Sequence, residues 1–283
     1  PKTGMESPEF EALREEYQKL SWEAKIDIEE IINESDLTTL LLKSEGGDYY
    51  ARKAASKVIK IKITKAENIN ETKEDLIIAL QHENPKIRSG AANYIGKIGE
   101  KSVIPNLLKA LQDEESKVRL RAIVSLTSIA DNFIIIPALL QILKDENCRV
   151  RSLAADLLGE IADNSTVIPS VSLANALIEA LEDKNIGVKR TAICTLSKID
   201  SEQAAEVISA SLPYQDNFID NIAASILSKH GKLEYIPNLW KALVKSKYIN
   251  QAREINFNSA TNNLYSAIET IQQQYQLYNP DFC

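Results

Sequence analysis

One register constrains this 283-residue chain more tightly than its composition does. Counting from Leu80, Leu111, Leu143, Leu181 and Leu212, the intervals are 31, 32, 38 and 31 residues. Seven residues after each leucine stands Ile87, Val118, Val150, Val188 or Ile219. Eleven after stands Ala91, Ala122, Ala154, Ala192 or Ala223, and fifteen after stands Ile95, Leu126, Leu158, Leu196 or Leu227. Steps of four along a helix return to one face, so these positions predict the buried stripe of a helix. A period of this size predicts stacked helical hairpins, each burying its apolar face against the next. The alanine allows two helices to approach where a larger side chain would splay them. Position eighteen extends the stripe as Ile98, Ile129, Ile161 and Ile199, and becomes His230 in the last unit, a histidine expected to end the core. The 38-residue interval is attributed to an insertion at "SVSLAN", residues 170–175.

The turns are equally regular. Asp113, Asp145 and Asp183 lie two residues after the leucine, and Arg88, Arg119, Arg151 and Lys189 lie eight after it. An acid at the turn can accept from the amides that open the next helix, and a base from the neighbouring unit can pair with it, which predicts a structural ladder. Pro105, Pro137, Pro169 and Pro237 each follow an isoleucine and are expected in the first turn of a unit's first helix, where proline loses no hydrogen bond. Nine glycines, nine prolines and 6% aromatics favour helices. The expected fold is all-α, a right-handed α-α superhelix closed by capping helices.

Met5 is the only methionine, so residues 1–8 read as an appended or disordered leader and are left out of the fold. Residues 9–36 read as N-terminal capping helices, and 37–246 as the array, including a degenerate unit at "LLLKSEGGDYYARKAASKVIKI". Residues 247–283 read as a capping helix, with Leu264, Ile268, Ile271 and Tyr275 on one face, and a tail.

Little of this sequence suggests catalysis. His82 and His230 are four repeats apart, and Cys148, Cys194 and Cys283 lack the spacing of a disulfide framework or thiolate metal site. No catalytic residue, metal or cofactor is expected, and the odd, scattered cysteines suit a reducing cytoplasmic setting. The net charge of −7 disfavours nucleic acid, whose binding relies on lysine and arginine displacing counterions, and no apolar run is long enough to span a bilayer.

What varies between units is the set of polar positions thirteen and seventeen after the leucine. These are Asn93 and Lys97, Val124 and Ser128, Asp156 and Glu160, Cys194 and Lys198, then Ser225 and Lys229. On the second helices of a stack they would line a concave ridge. The candidate partner-binding residues are therefore Asn93, Lys97, Arg121, Ser128, Asp156, Glu160, Lys198 and Lys229.

The pattern D-x-x-x-x-V-R-x-x-A-x-x-x-L resembles the HEAT-repeat family, in the short variant named for phycobilisome lyases, over roughly residues 37–246. The tail "AIETIQQQYQLYN" resembles the segment closing HEAT arrays in cyanobacterial NACHT-type signalling proteins, and "DYYARKAA" is similar to a stretch of bilin lyases. These resemblances imply a HEAT-repeat solenoid acting as a scaffold or sensor for a protein partner. The alternative they imply is a bilin lyase subunit, or a phycobilisome chaperone or degradation factor, with a phycobiliprotein as partner.

Overall fold

The structure, a computed structural model, describes residues 8–18, 30–34, 36–46, 49–64, 69–164, 170–199, 202–212, 216–252 and 259–278. Among these the chain is all-α. The helices are α1 (Pro8–Gln18), α2 (Leu37–Glu45), α3 (Tyr49–Thr64), α4 (Ile69–Ala79), α5 (Pro85–Ile98), α6 (Ile104–Ala110), α7 (Ser116–Ile129) and α8 (Asn132–Ile142). They continue as α9 (Cys148–Asn164), α10 (Ser170–Ala180), α11 (Ile186–Lys198), α12 (Glu202–Ser211), α13 (Asn217–His230), α14 (Ile236–Ala252) and α15 (Ser259–Tyr278). Two compact units divide the chain, Pro1–Ala138 and Leu139–Cys283.

In the first unit α2–α3, α4–α5 and α6–α7 form hairpins, α2 packs on α5, α5 packs on α7, and α1 lies on α3. In the second, α10–α11 and α12–α13 form hairpins, α9 packs on α11 and α11 on α13, and α15 covers both α13 and α14. Asn84, Asn185 and Asp216 cap α5, α11 and α13 by accepting amides of the first turn. Helices α5 and α13 end on Gly99 and Gly231, whose φ of 74° and 63° places them in the left-handed region that favours glycine.

The residues seven, eleven and fifteen after each leucine are 0–3% exposed in all five repeats. Those eighteen after it, Ile98, Ile129, Ile161, Ile199 and His230, are only half-buried; all but Ile161, which lies in the last turn of α9, fall at or just past the end of their helices. In α15, Leu264, Ile268 and Ile271 are buried; the side chain of Tyr275 lies outside the described residues.

A seam that the periodicity does not announce holds the second helices together. The Ser125 hydroxyl of α7 donates to the Ala92 carbonyl of α5 at 2.6 Å, and a Cβ on Gly96 would stand 2.9 Å from the Ser125 Cα. The same arrangement recurs in the second unit. There the Thr195 hydroxyl of α11 donates to the Ala155 carbonyl of α9 at 2.9 Å, and a Cβ on Gly159 would stand 2.9 Å from the Thr195 Oγ1. Glycine is required at both places by close approach.

Two local expectations are corrected. Helix α8 begins at Asn132, opened by amides of Ile134 and Ile135 donating to the Asp131 carbonyl, so Pro137 sits inside a helix rather than at its start. The residue four before it, Phe133, is 92% exposed, so water can reach the carbonyl that proline leaves without a donor. The long interval is not an insertion at 170–175, since Ser170–Ala180 is a regular helix with Leu173, Ala174 and Leu177 buried. Part of the extra length lies in α9, which runs 17 residues against 14 for α5 and α7. Pro105 and Pro237 do lie in first turns, and Pro169 falls outside the described residues.

The seam yields an expected outcome. Gly96→Ala should lower the urea midpoint, because overpacking costs about 1–3 kcal/mol and alanine's better helix propensity offsets only about 1 kcal/mol of it. Adding Ser125→Gly should recover part of the loss. Strictly additive losses would show that the two residues do not meet.

Candidate functional site

The charged residues of the turns form a clasp between consecutive repeats. Arg88 of α5 grips Asp113 through Nε to Oδ2 at 2.7 Å and Nη2 to Oδ1 at 2.9 Å, while Nη1 donates to the carbonyls of His82 and Glu83. Arg151 of α9 repeats this on Asp183 at 2.5 and 2.7 Å, with Nη1 on the carbonyls of Asp145 and Glu146. Arg119 Nη1 donates to the carbonyls of Asp113 and Glu114. Each aspartate also accepts the amide two residues on: Glu115 on Asp113, Asn147 on Asp145 and Asn185 on Asp183. The three arginines are only 5–7% exposed.

Electrostatics follows the geometry. The Asp113 hydrogen bond raises the Arg88 guanidinium above its ordinary value, and Asp183 does the same for Arg151. Burial would raise the Asp183 carboxyl, but the bonds from Arg151 and the Asn185 amide outweigh it and hold the group below the usual 3.8. At the next step the ladder departs from expectation. Position two after Leu212 is Tyr214, not an acid, and the first acid available is Asp216, the cap of α13. Arg190 reaches it at 3.2 and 2.6 Å, so the pair falls on Arg190 rather than on Lys189, and it is largely solvent-exposed on the arginine side.

The ridge positions lie at the surface. In the first unit Lys97, Val124 and Ser128 are exposed and Asn93 and Arg121 half-buried; in the second Asp156, Glu160, Lys198, Ser225 and Lys229 are exposed and Cys194 half-buried. Neighbouring second helices bring some of them together. Lys97 of α5 feels the charge of Arg121 on α7, and the Cys194 thiol of α11 is affected by Lys198 and by Asp156 of α9. Burial pushes that thiol up, with Asp156 adding to it, so Cys194 is not an activated nucleophile. His82 accepts the Asn84 amide on Nδ1, an ordinary turn role. Among the described residues no three His, Cys, Asp or Glu side chains are grouped to hold a metal ion. No described helix is long and apolar enough to cross a membrane. In the stretch similar to bilin lyases, Tyr49 and Tyr50 are exposed whereas Ala54 and Ala55 are packed in the core.

Two grooves were not foreseen. One of about 490 Å³ lies between Leu140, Leu143 and Lys144 and Ala176, Glu179 and Ala180, with Arg151 and Asp183 among its lining. The other, about 370 Å³, lies at the matching register of the first unit, between Ile77, Leu80 and Gln81 and Asn106, Lys109 and Ala110, with Arg88 and Asp113. The clasp is thus a shared wall of both. Only the matching register of Leu80 and Leu143 in the sequence signals that the two grooves correspond.

A family model described as HEAT repeats matches residues 35–132 and 136–228. In structure the chain is similar to YibA of Escherichia coli, with a TM-score of 0.56 and 20% identity over 94% of this chain and 97% of that one. It is also similar to an engineered protein, at 0.48 and 20% identity over 71% and 98% of the two chains. The complex of CpcE and CpcF of phycocyanin lyase from a Nostoc species matches at 0.40 and 18% identity over 84% and 95%. The YibA likeness, at this identity, is one of fold. No curated protein sequence matches the chain.

Two outcomes test the clasp. Arg88→Ala should destabilise by about 3–5 kcal/mol, because it breaks a pair buried on both sides and also releases the His82 and Glu83 carbonyls, whereas Arg190→Ala should cost about 1 kcal/mol because Arg190 is half-exposed and Asp216 keeps the bond from the Ile219 amide. Equal losses in urea titrations would remove the distinction. The second concerns acid. Asp183 is held below 3.8 in the folded chain, so on acidification the unfolded chain takes up this proton first. The stability it contributes is present above the unfolded value and is lost as pH falls through the folded one. Wild type should therefore lose more stability between about pH 5 and 2 than Asp183→Asn does.

Proposed function

The chain belongs to the HEAT-repeat family, and from that premise we propose that it is a non-catalytic scaffold that binds a protein partner through the exposed faces of its second helices. The observation that carries this reading is a contrast between positions of the same helices. Those seven, eleven and fifteen after the leucine keep one chemistry and are 0–3% exposed, while those thirteen and seventeen after it are exposed or half-buried, and the pair they form differs from repeat to repeat although lysine recurs at the second position as Lys97, Lys198 and Lys229. Variation at the core would cost stability; variation at the surface changes only what the face can recognise. In the second unit that face combines Asp156 and Glu160 with Lys198 and Lys229, a mixed charge pattern that suits a protein surface.

Affinity capture from the source cell, followed by reconstitution with the purified partner, tests the proposal. Wild type should retain a partner that Asp156→Lys/Glu160→Lys binds about tenfold or more weakly. An unchanged affinity would remove this face as the site. Co-expression with a bilin and a phycobiliprotein subunit provides the opposing test, since covalent colour above background would overturn the non-catalytic reading.

A further inference from the structure

One patch of the first unit gathers positive charge. Lys60 of α3 and Arg121 of α7 stand close enough for their charges to act on Lys97 of α5, and none of the three forms an ion pair among the described residues. The one carboxylate acting on Lys97, Glu45, is itself engaged by Lys117 at 2.5 Å, and its side chain is only 7% exposed. Lys60, Lys97, Lys117 and Arg121 against Glu45 leave a local excess of three positive charges in a chain whose net charge is −7.

The cluster has a built floor. The Lys97 ammonium lies 4.3 Å from the centroid of the Tyr94 ring, and that ring is 2% exposed. Crowding by protein, then by Lys60 and Arg121, holds Lys97 below the ordinary lysine value despite the opposing pull of Glu45. Like charges gathered in this way repel, which opposes the favourable contact of Lys97 with the Tyr94 ring and the pull of Glu45. Beside it, on the same face of α7 as Arg121, Val124 is 48% exposed, followed one turn later by exposed Ser128.

We infer that this α3–α5–α7 face binds an acidic segment of a protein partner, with carboxylates seated on Lys60, Lys97 and Arg121 and an apolar side chain against Val124. The inference rests on the protein-binding reading and names its partner's chemistry. A polypeptide fits better than a nucleic acid. The cations occupy one short patch that ends in an apolar side chain, and 40 acidic against 33 basic residues would repel a long phosphate backbone.

The test uses the full chain and a fluorescein-labelled peptide of alternating glutamate and leucine, with its glutamine counterpart, inorganic pyrophosphate and oligo-dT as competing probes. The glutamate peptide should bind and weaken with added salt, the glutamine peptide should not bind, and Lys97→Glu/Arg121→Glu should weaken binding about tenfold or more. The milder Lys97→Gln should fall between, and Lys241→Glu on α14 should change nothing. Circular dichroism confirms that the variants are folded. Failure of the glutamate peptide to bind, equal binding of the glutamine peptide, indifference to the Lys97 and Arg121 substitutions, or preference for pyrophosphate or oligo-dT would each overturn the inference. A captured partner that still binds Lys97→Glu/Arg121→Glu would leave the scaffold reading standing while this one falls. Peptide binding with no captured partner would do the reverse.

Discussion

An arginine that holds the turn of its own hairpin with one nitrogen and the aspartate of the next with two others sets the geometry on which much else depends. Arg88 and Arg151 each spend three donor nitrogens this way, and each aspartate they grip is already tied to the amide two residues on. The clasp therefore joins two rigid turns. A repeat stack is stabilised by nearest-neighbour interfaces, so the connections at the α5–α7 and α9–α11 seams act locally. With the hairpin tips held, the second helices come close enough for Ser125 and Thr195 to reach carbonyls of the preceding helix, and Gly96 and Gly159 leave the space.

The same logic applies where the pattern lapses. Between α11 and α13 the residues in register with Gly159 and Thr195 are Ser197 and Ile226, so neither the space nor the hydroxyl is present. The clasp there passes to Arg190 and Asp216, with the arginine in solvent and stacked 5.5 Å from the Phe218 ring. A screened pair replaces a buried one, and that step relies more on apolar packing through Ile219, Ala223 and Leu227.

Against this constant framework the surface is where the units diverge. The first presents a knot of basic side chains over an aromatic ring, with an exposed valine beside it. The second presents acids and bases interleaved. The core positions of the same helices are equally buried in both. Under the proposed protein-binding reading, charge placed on a rigid frame would set selectivity and encounter rate more than raw affinity.

Most of the fold was legible from the register, because burial on a helix depends on spacing along that one helix; Ala91, Ala122, Ala154, Ala192 and Ala223 are all fully buried where the spacing puts them. The acid and base of the clasp were legible for the same reason, as each repeats at a constant offset. What failed were statements about ends and neighbours. Pro137 lies inside α8 because the helix begins five residues earlier, at Asn132, and part of the extra length of the long repeat lies in α9. Lys189 yields to Arg190 because the nearest acid of the next turn is displaced to Asp216. Likewise the paired Gly96 and Ser125, the two grooves, and the meeting of Lys60, Lys97 and Arg121 join residues from different helices. Spacing along one chain segment determines which face of a helix is buried. Which side chains meet across a seam depends on where each helix starts and how closely it approaches its neighbour, and only the folded chain decides that.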